Sequence, residues 1–164
     1  MPLAGMDRQQ YLSTKFGSED NANSVYQRIA DEGEKNKIFF QFNKIAKTPN
    51  SFLSHKLLAY AHNKNKQTKV LELLFYKYFI EGEDIGSVNV LINAAKDADI
   101  YDENIEKYII SEKDNDSLLN EEKHAKNIGI NSVPCFIFNK EIVVNGAQPT
   151  KNFIQIIESL KQDV

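Results

Sequence analysis

The chain of 164 residues is 41% hydrophobic and 26% charged, with 20 basic against 23 acidic side chains and a net charge of −3. That length buries a core without disulfides or metal, and that balance excludes the sparse hydrophobicity of disordered chains. The slight acidic excess leaves no basic footprint for nucleic acid or anionic lipid, and the lone Cys135 excludes an internal disulfide and a multi-cysteine zinc site.

In chain order, residues 11–16 predict a short helical turn ended by Gly17. Ser18-Glu19-Asp20 offers caps for a polar helix to about residue 34, with Val25, Tyr26 and Ile29 facing inward. Residues 38–42, IFFQF, are aromatic and partly alternating, which predicts an extended segment. Thr48-Pro49-Asn50 breaks the chain before a helix over 51–62, whose inner face is Phe52, Leu53, Leu57 and Ala61. The strongest helical signal covers 67–80, where Leu71, Leu74, Phe75, Tyr78 and Phe79 form one apolar stripe and Gly82 ends it. The aromatic group Phe75, Tyr76, Tyr78 and Phe79 therefore reads as core. Ser87 caps a helix bearing Val88, Leu91, Ile92 and Ala95, and Asp102 opens another with Ile105, Tyr108 and Ile109. A helix over 117–127 stops at Gly129. Strands over 134–139 and 141–145 then form a hairpin through Asn139-Lys140-Glu141, and Pro149 starts a last helix with Phe153, Ile156, Ile157 and Leu160 inward. The whole is an α/β chain in which a helical bundle accompanies a very small sheet.

Pro134 lacks the N–H that a central strand needs, so it belongs at a strand's first residue. Cys135 beside it stands at a strand start rather than a helix N-terminus, and among Phe136, Ile137 and Phe138 it reads as a small buried hydrophobe. His55 and His62 are seven apart, unlike the i, i+4 pair of a helical metal site, and read with His124 as surface residues. Asp7 and Arg8 are explained equally well by an ion pair at a helix start and by an MDR stretch that resembles one in the family named below. No apolar run approaches a bilayer span, and Met1-Pro2-Leu3-Ala4-Gly5 lacks the basic and apolar regions of a secretion signal, so the expected location is cytoplasmic.

Gly129-Ile130-Asn131-Ser132-Val133-Pro134-Cys135-Phe136 closely resembles the GI-x-x-VP-x-F loop of thioredoxin-fold proteins of the DsbA type. Asn145-Gly146-Ala147-Gln148-Pro149 resembles the SGAQP turn of their FrnE branch, which is related to 2-hydroxychromene-2-carboxylate isomerase and kappa-class glutathione transferase. The stretches GMDRQQYLSTKFGS, TPNSFLSHKLLAYA and VLELLFYKYFIEGEDIGSVNVL agree in order, so the resemblance covers nearly the whole chain. It implies one thioredoxin-like domain over 1–164, incomplete, with a large helical insertion over about 11–128. A cis-proline loop, β-hairpin and terminal helix occupy about 129–164.

The implied activity is thiol–disulfide exchange by a protein disulfide oxidoreductase. The alternatives are a glutathione-linked isomerase or transferase and a non-catalytic module that binds a peptide or partner. Carried over by position, Val133 and Pro134 form a substrate-binding edge behind a cis bond. Asn145, Gly146, Ala147 and Gln148 line the turn that holds glutathione in relatives, and Asn50 faces the same cleft. The implied partners are a thiol or disulfide peptide, or glutathione as co-substrate, with no resident cofactor, metal, nucleic acid or membrane.

The departure is at the start. Relatives open with a strand, a C-x-x-C or serine-bearing turn, a helix and a second strand, none of which has a counterpart here. No catalytic residue is therefore assigned, and whether the chain is an enzyme stays open. The expectation is a fragment, half of a split protein, or a remnant whose open strand edge invites self-association.

Overall fold

Short polar side chains start the first two helices. Asp7 accepts a hydrogen bond from Gln10 N at 2.9 Å and begins α1 (Arg8–Phe16). Ser18 Oγ accepts from Asn21 N at 3.2 Å and begins α2 (Glu19–Lys35). Each satisfies an N–H that a helix start leaves unpaired, so α1 begins three residues before the expected turn. The computed structural model describes residues 1–162, and the chain divides into two units, Met1–Asn115 and one from Asp116 onward.

In the first unit, α2 buries Ala22 and Gly33, whereas Ile29, expected inside, is exposed. Residues 38–41 form no strand. Their aromatic alternation serves ring packing instead: Phe40 stacks on Phe42 at 5.0 Å, Phe42 meets Tyr26 at 4.8 Å, and both phenylalanines contact Phe79. The Gln41 N–H bonds to Phe79 O at 2.8 Å, so this loop docks on a helix end rather than on a sheet. A 3-10 turn, Phe42–Lys44, follows, and β1 (Met6–Asp7) pairs antiparallel with β2 (Lys47–Thr48), Met6 opposite Thr48.

The core lies among α3 (Phe52–His62), α4 (Gln67–Tyr76), α5 (Val88–Asp97) and α6 (Ile105–Ile110). Leu57, Val70, Leu74, Leu91, Ile105 and Ile109 supply its bulk, and Ala61, Ala94, Ala95 and Ala98 its close approaches. The buried face of α4 is Val70, Leu74 and the following Lys77, rotated from the expected stripe: Leu71 is exposed and Phe75 is 54% exposed, with Tyr76 also outside. A π-helical turn, Lys77–Glu81, follows α4 and ends at Gly82, φ 79°. A Cβ at Gly82 would stand 2.5 Å from Lys44 O, closer than atoms approach.

Lys56 is fully buried in α3. Its ammonium donates to Ser111 O and, at 3.0 Å, to Asn115 Oδ1, and lies 5.2 Å from the centre of the Tyr108 ring. A buried ammonium must be met by acceptors or a π face, and this one has both. Burial holds its pKa below the usual lysine value, with Asp114 opposing. Nearby, Tyr60 donates to Asp102 Oδ2 at 2.7 Å and Lys64 to the same oxygen at 2.9 Å. These bonds hold the Asp102 carboxyl down at about 2, while burial, reinforced by Asp102, pushes the Tyr60 hydroxyl up to about 12.

The second unit holds most of α7 (Asn115–Asn127), then β3 (Cys135–Phe138), β4 (Ile142–Asn145) and α8 (Thr150–Gln162). The strands pair antiparallel with Cys135 opposite Asn145 and Phe138 opposite Ile142. The link is the three residues Asn139, Lys140 and Glu141; Asn139 and Lys140 have φ of 49° and 65°, the left-handed centres of a β-turn in which Glu141 N donates to Phe138 O at 3.0 Å, a twist that suits a tight hairpin. Phe153 of α8 packs edge-on against Phe136 at 4.7 Å and near Phe138 at 6.1 Å, whereas Ile157, expected inside, is exposed. Among the described residues, no helix is long and apolar enough to cross a membrane.

Two measurements check this account. Gly17 and Gly82 share φ of 79°, but only Gly82 faces a close neighbour. Gly17→Ala should cost about 1 kcal/mol in urea unfolding and Gly82→Ala roughly 3 kcal/mol. The second measurement concerns acid. The Asp102 pKa is depressed in the folded state, so its stabilisation is present above its ordinary value of 3.8 and is lost as pH falls toward about 2. The stability gap between the native chain and Asp102→Asn should therefore narrow from pH 4 to pH 2, as followed by denaturant titration at each pH.

Candidate functional site

Six of the seven residues singled out in the sequence meet at the open end of the β3–β4 hairpin. Gly146 N donates to Pro134 O at 2.8 Å, which ties the loop entering β3 to the turn leaving β4. The Val133–Pro134 bond is cis. Val133 is 87% exposed, and no hydrogen bond among the described residues engages its backbone. Among the described residues β3 pairs with β4 alone, so its other edge carries unpaired N–H and C=O groups. Such a row accepts an added strand.

The turn itself is partly committed. Gln148 Nε2 donates to Asn145 O at 3.2 Å, and its carbonyl accepts from Asn152 at 3.1 Å. The Asn145 side chain is exposed and makes no hydrogen bond among the described residues, and Ala147 is exposed beside it. The arrangement therefore offers a free amide, an exposed turn and an unpaired backbone edge within one hairpin end.

Asn50 belongs to the first unit, where its side chain is already occupied. Its Oδ1 accepts from Phe52 N at 2.9 Å, and its Nδ2 donates to Met1 O and Pro2 O, each at 3.3 Å. It thus anchors the entry of α3 and the chain's first residues together.

Cys135 is half-buried rather than buried. The strand period of two puts it on one face with Ile137; Cys135 lies opposite Asn145 and Ile137 opposite Val143, and Ile137 and Val143 are exposed. It starts a strand, away from the helix N-terminus that activates a thiol. His55, His62 and His124 are exposed.

Asp7 and Arg8 form no ion pair, because Asp7 caps α1 while Arg8 turns inward to only 7% exposure. Its guanidinium lies 4.6 Å over the Tyr26 ring, and Nη1 donates to the Tyr78 hydroxyl at 3.4 Å. The partners are 18 and 70 positions away in sequence, beyond any local pattern.

Comparison with known proteins agrees with this architecture. The family description of the DSBA-like thioredoxin domain matches residues 1–158, and the chain belongs to that family. Among solved structures, a probable DsbA oxidoreductase from Streptomyces coelicolor shares the fold with a TM-score of 0.85 at 18% identity. The match covers 97% of this chain and 69% of that one. No curated protein matches.

The two asparagines separate anchoring from availability. Asn50→Ala should lower stability by about 1 kcal/mol in urea unfolding, because Phe52 N and two carbonyls lose their partner. Asn145→Ala, with no side-chain bond to lose, should stay within about 0.5 kcal/mol of the native chain.

Proposed function

We propose that this chain works in thiol–disulfide exchange as a protein of the DsbA type, in its FrnE branch, and that the hairpin end receives the substrate backbone. The observation that carries the reading is Val133, exposed and with no backbone hydrogen bond among the described residues, beside the open edge of β3. A peptide laid there gains main-chain bonds as an added strand, and the Asn145–Gln148 turn contacts its end or that of glutathione. Exchange requires an attacking thiolate and a resolving thiol. Cys135 is the one cysteine of these 164 residues, so the dithiol must be supplied from outside them. In this reading the chain binds and a strand–CxxC–helix–strand unit attacks, with a cytoplasmic location. Without that unit the same edge favours self-association.

The unengaged Asn145 amide favours a second reading, in which the turn binds glutathione for isomerase or transferase chemistry.

The test supplies the dithiol. The purified chain should show no catalysed disulfide reduction alone and should gain it when mixed with a strand–CxxC–helix–strand peptide from a full-length relative. Val133→Pro, which deletes the N–H at the edge, should weaken the reconstituted reaction. Sedimentation should show self-association declining as the peptide binds. Turnover by the chain alone that vanishes in Cys135→Ser would sink the proposal. Glutathione binding without peptide binding would move the assignment to the second reading.

A further inference from the structure

The first unit contains a cavity of about 550 Å³ between α1, α2 and the 3-10 turn, lined by none of the residues of the hairpin end. Its lining is of two kinds. Leu12, Phe40, Phe42 and Ile45 are apolar, and Gln9, Asn23, Gln27 and Asn43 bring four carboxamides to the same space. Arg8 lines it as well.

Arg8 is the feature that calls for an explanation. A guanidinium has five N–H donors, and a buried one is ordinarily matched by a carboxylate. At 7% exposure Arg8 makes one hydrogen bond, to the Tyr78 hydroxyl, and no ion pair among the described residues. The adjacent carboxylate, Asp7, is committed to the start of α1. Asp31, on α2, is held by Gln27 Nε2 at 2.7 Å, which leaves the Gln27 carbonyl oxygen as that side chain's free acceptor. The Tyr26 face offsets part of the cost of the buried charge but uses none of the in-plane donors.

We propose that this cavity binds a small organic carboxylate that carries an amide group and an apolar body, of the N-acylated amino acid class. Its carboxylate meets the Arg8 guanidinium, whose planar fork matches two oxygens. Its amide is read by the carboxamide rim, which offers both donors and acceptors, and its apolar body rests against Leu12, Phe42 and Ile45. The volume lies within the usual range for small-molecule sites, roughly 300–1,000 Å³. A wholly apolar ligand would cover the buried Arg8 guanidinium without giving its free donors an acceptor, which is costly.

The experiment measures binding of N-acetylphenylalanine and its neutral analogue N-acetylphenylalaninamide by titration calorimetry on the full chain. The acid should bind at least about tenfold more tightly than the amide, the range expected of a charge-assisted contact. Arg8→Gln should lose that preference. Because Arg8 also packs on Tyr26, a second variant guards against misfolding: Asn23→Asp, at an exposed rim position, places a competing charge beside the site. It should weaken the acid at least about threefold more than it weakens the amide, because the new carboxylate repels only the charged ligand. No binding of the acid to the native chain, equal binding of acid and amide, or full-strength acid binding by Asn23→Asp would each overturn the proposal.

Discussion

The central constraint is that α3 is enclosed over most of its circumference. Ser54, Lys56, Leu57 and Ala61 are buried, and Leu53, Leu58 and Tyr60 are half-buried around them. A helix so enclosed cannot leave its polar groups to water, so each must reach another segment. Ser54 Oγ donates to Ile85 O at 2.6 Å, Lys56 reaches Ser111 and Asn115, and Tyr60 reaches Asp102. Those bonds fix the entry to α5, the exit from α6 and the entry to α6. The alanines of α5 and its C-terminal cap complete the enclosure, since Ala94, Ala95 and Ala98 allow backbones to approach where larger side chains would hold them apart.

The second unit is built on the opposite terms. No side chain in 116–161 is fully buried. Its hairpin turns one face, with Phe136 and Phe138, toward Phe153, and leaves Ile137 and Val143 exposed on the other. A sheet apolar on both sides reads as one meant to be covered on both. The first unit is therefore settled by its own packing, while the hairpin keeps apolar area and backbone groups available, which a receiving surface requires.

Much of this was legible in the chain because local rules govern it. The caps at Ser18, the stops at Gly17, Gly82 and Gly129, the Pro149 start and the existence of the hairpin all follow from residues a few positions apart. The family likeness was carried by similar short stretches around Val133–Pro134 and Asn145–Gln148. What failed was the face of a helix. The Leu71–Phe79 stripe is real in sequence, yet Val70 and Lys77 face the core, because a lysine with carboxylates in reach at Glu81, Glu83 and Asp97 can sit where a polar residue is read as outside. Residues 38–42 failed for a related reason: alternation reports which side a ring faces, not whether a strand lies alongside. The burial of Lys56 and the inward turn of Arg8 were not legible, since their partners lie on distant segments.

The burial of Lys56 also bears on how the chain meets amine-directed chemistry. Acylation needs a neutral amine that a reagent can touch, and this amine is enclosed in the interior with its hydrogen atoms committed. Surface lysines such as Lys37 and Lys140 react from the folded state. Lys56 reacts only through conformations in which α3 has parted from the segments around it. Its modification rate is then a clock for opening of the first unit, set by the free energy of that opening rather than by the amine's own nucleophilicity.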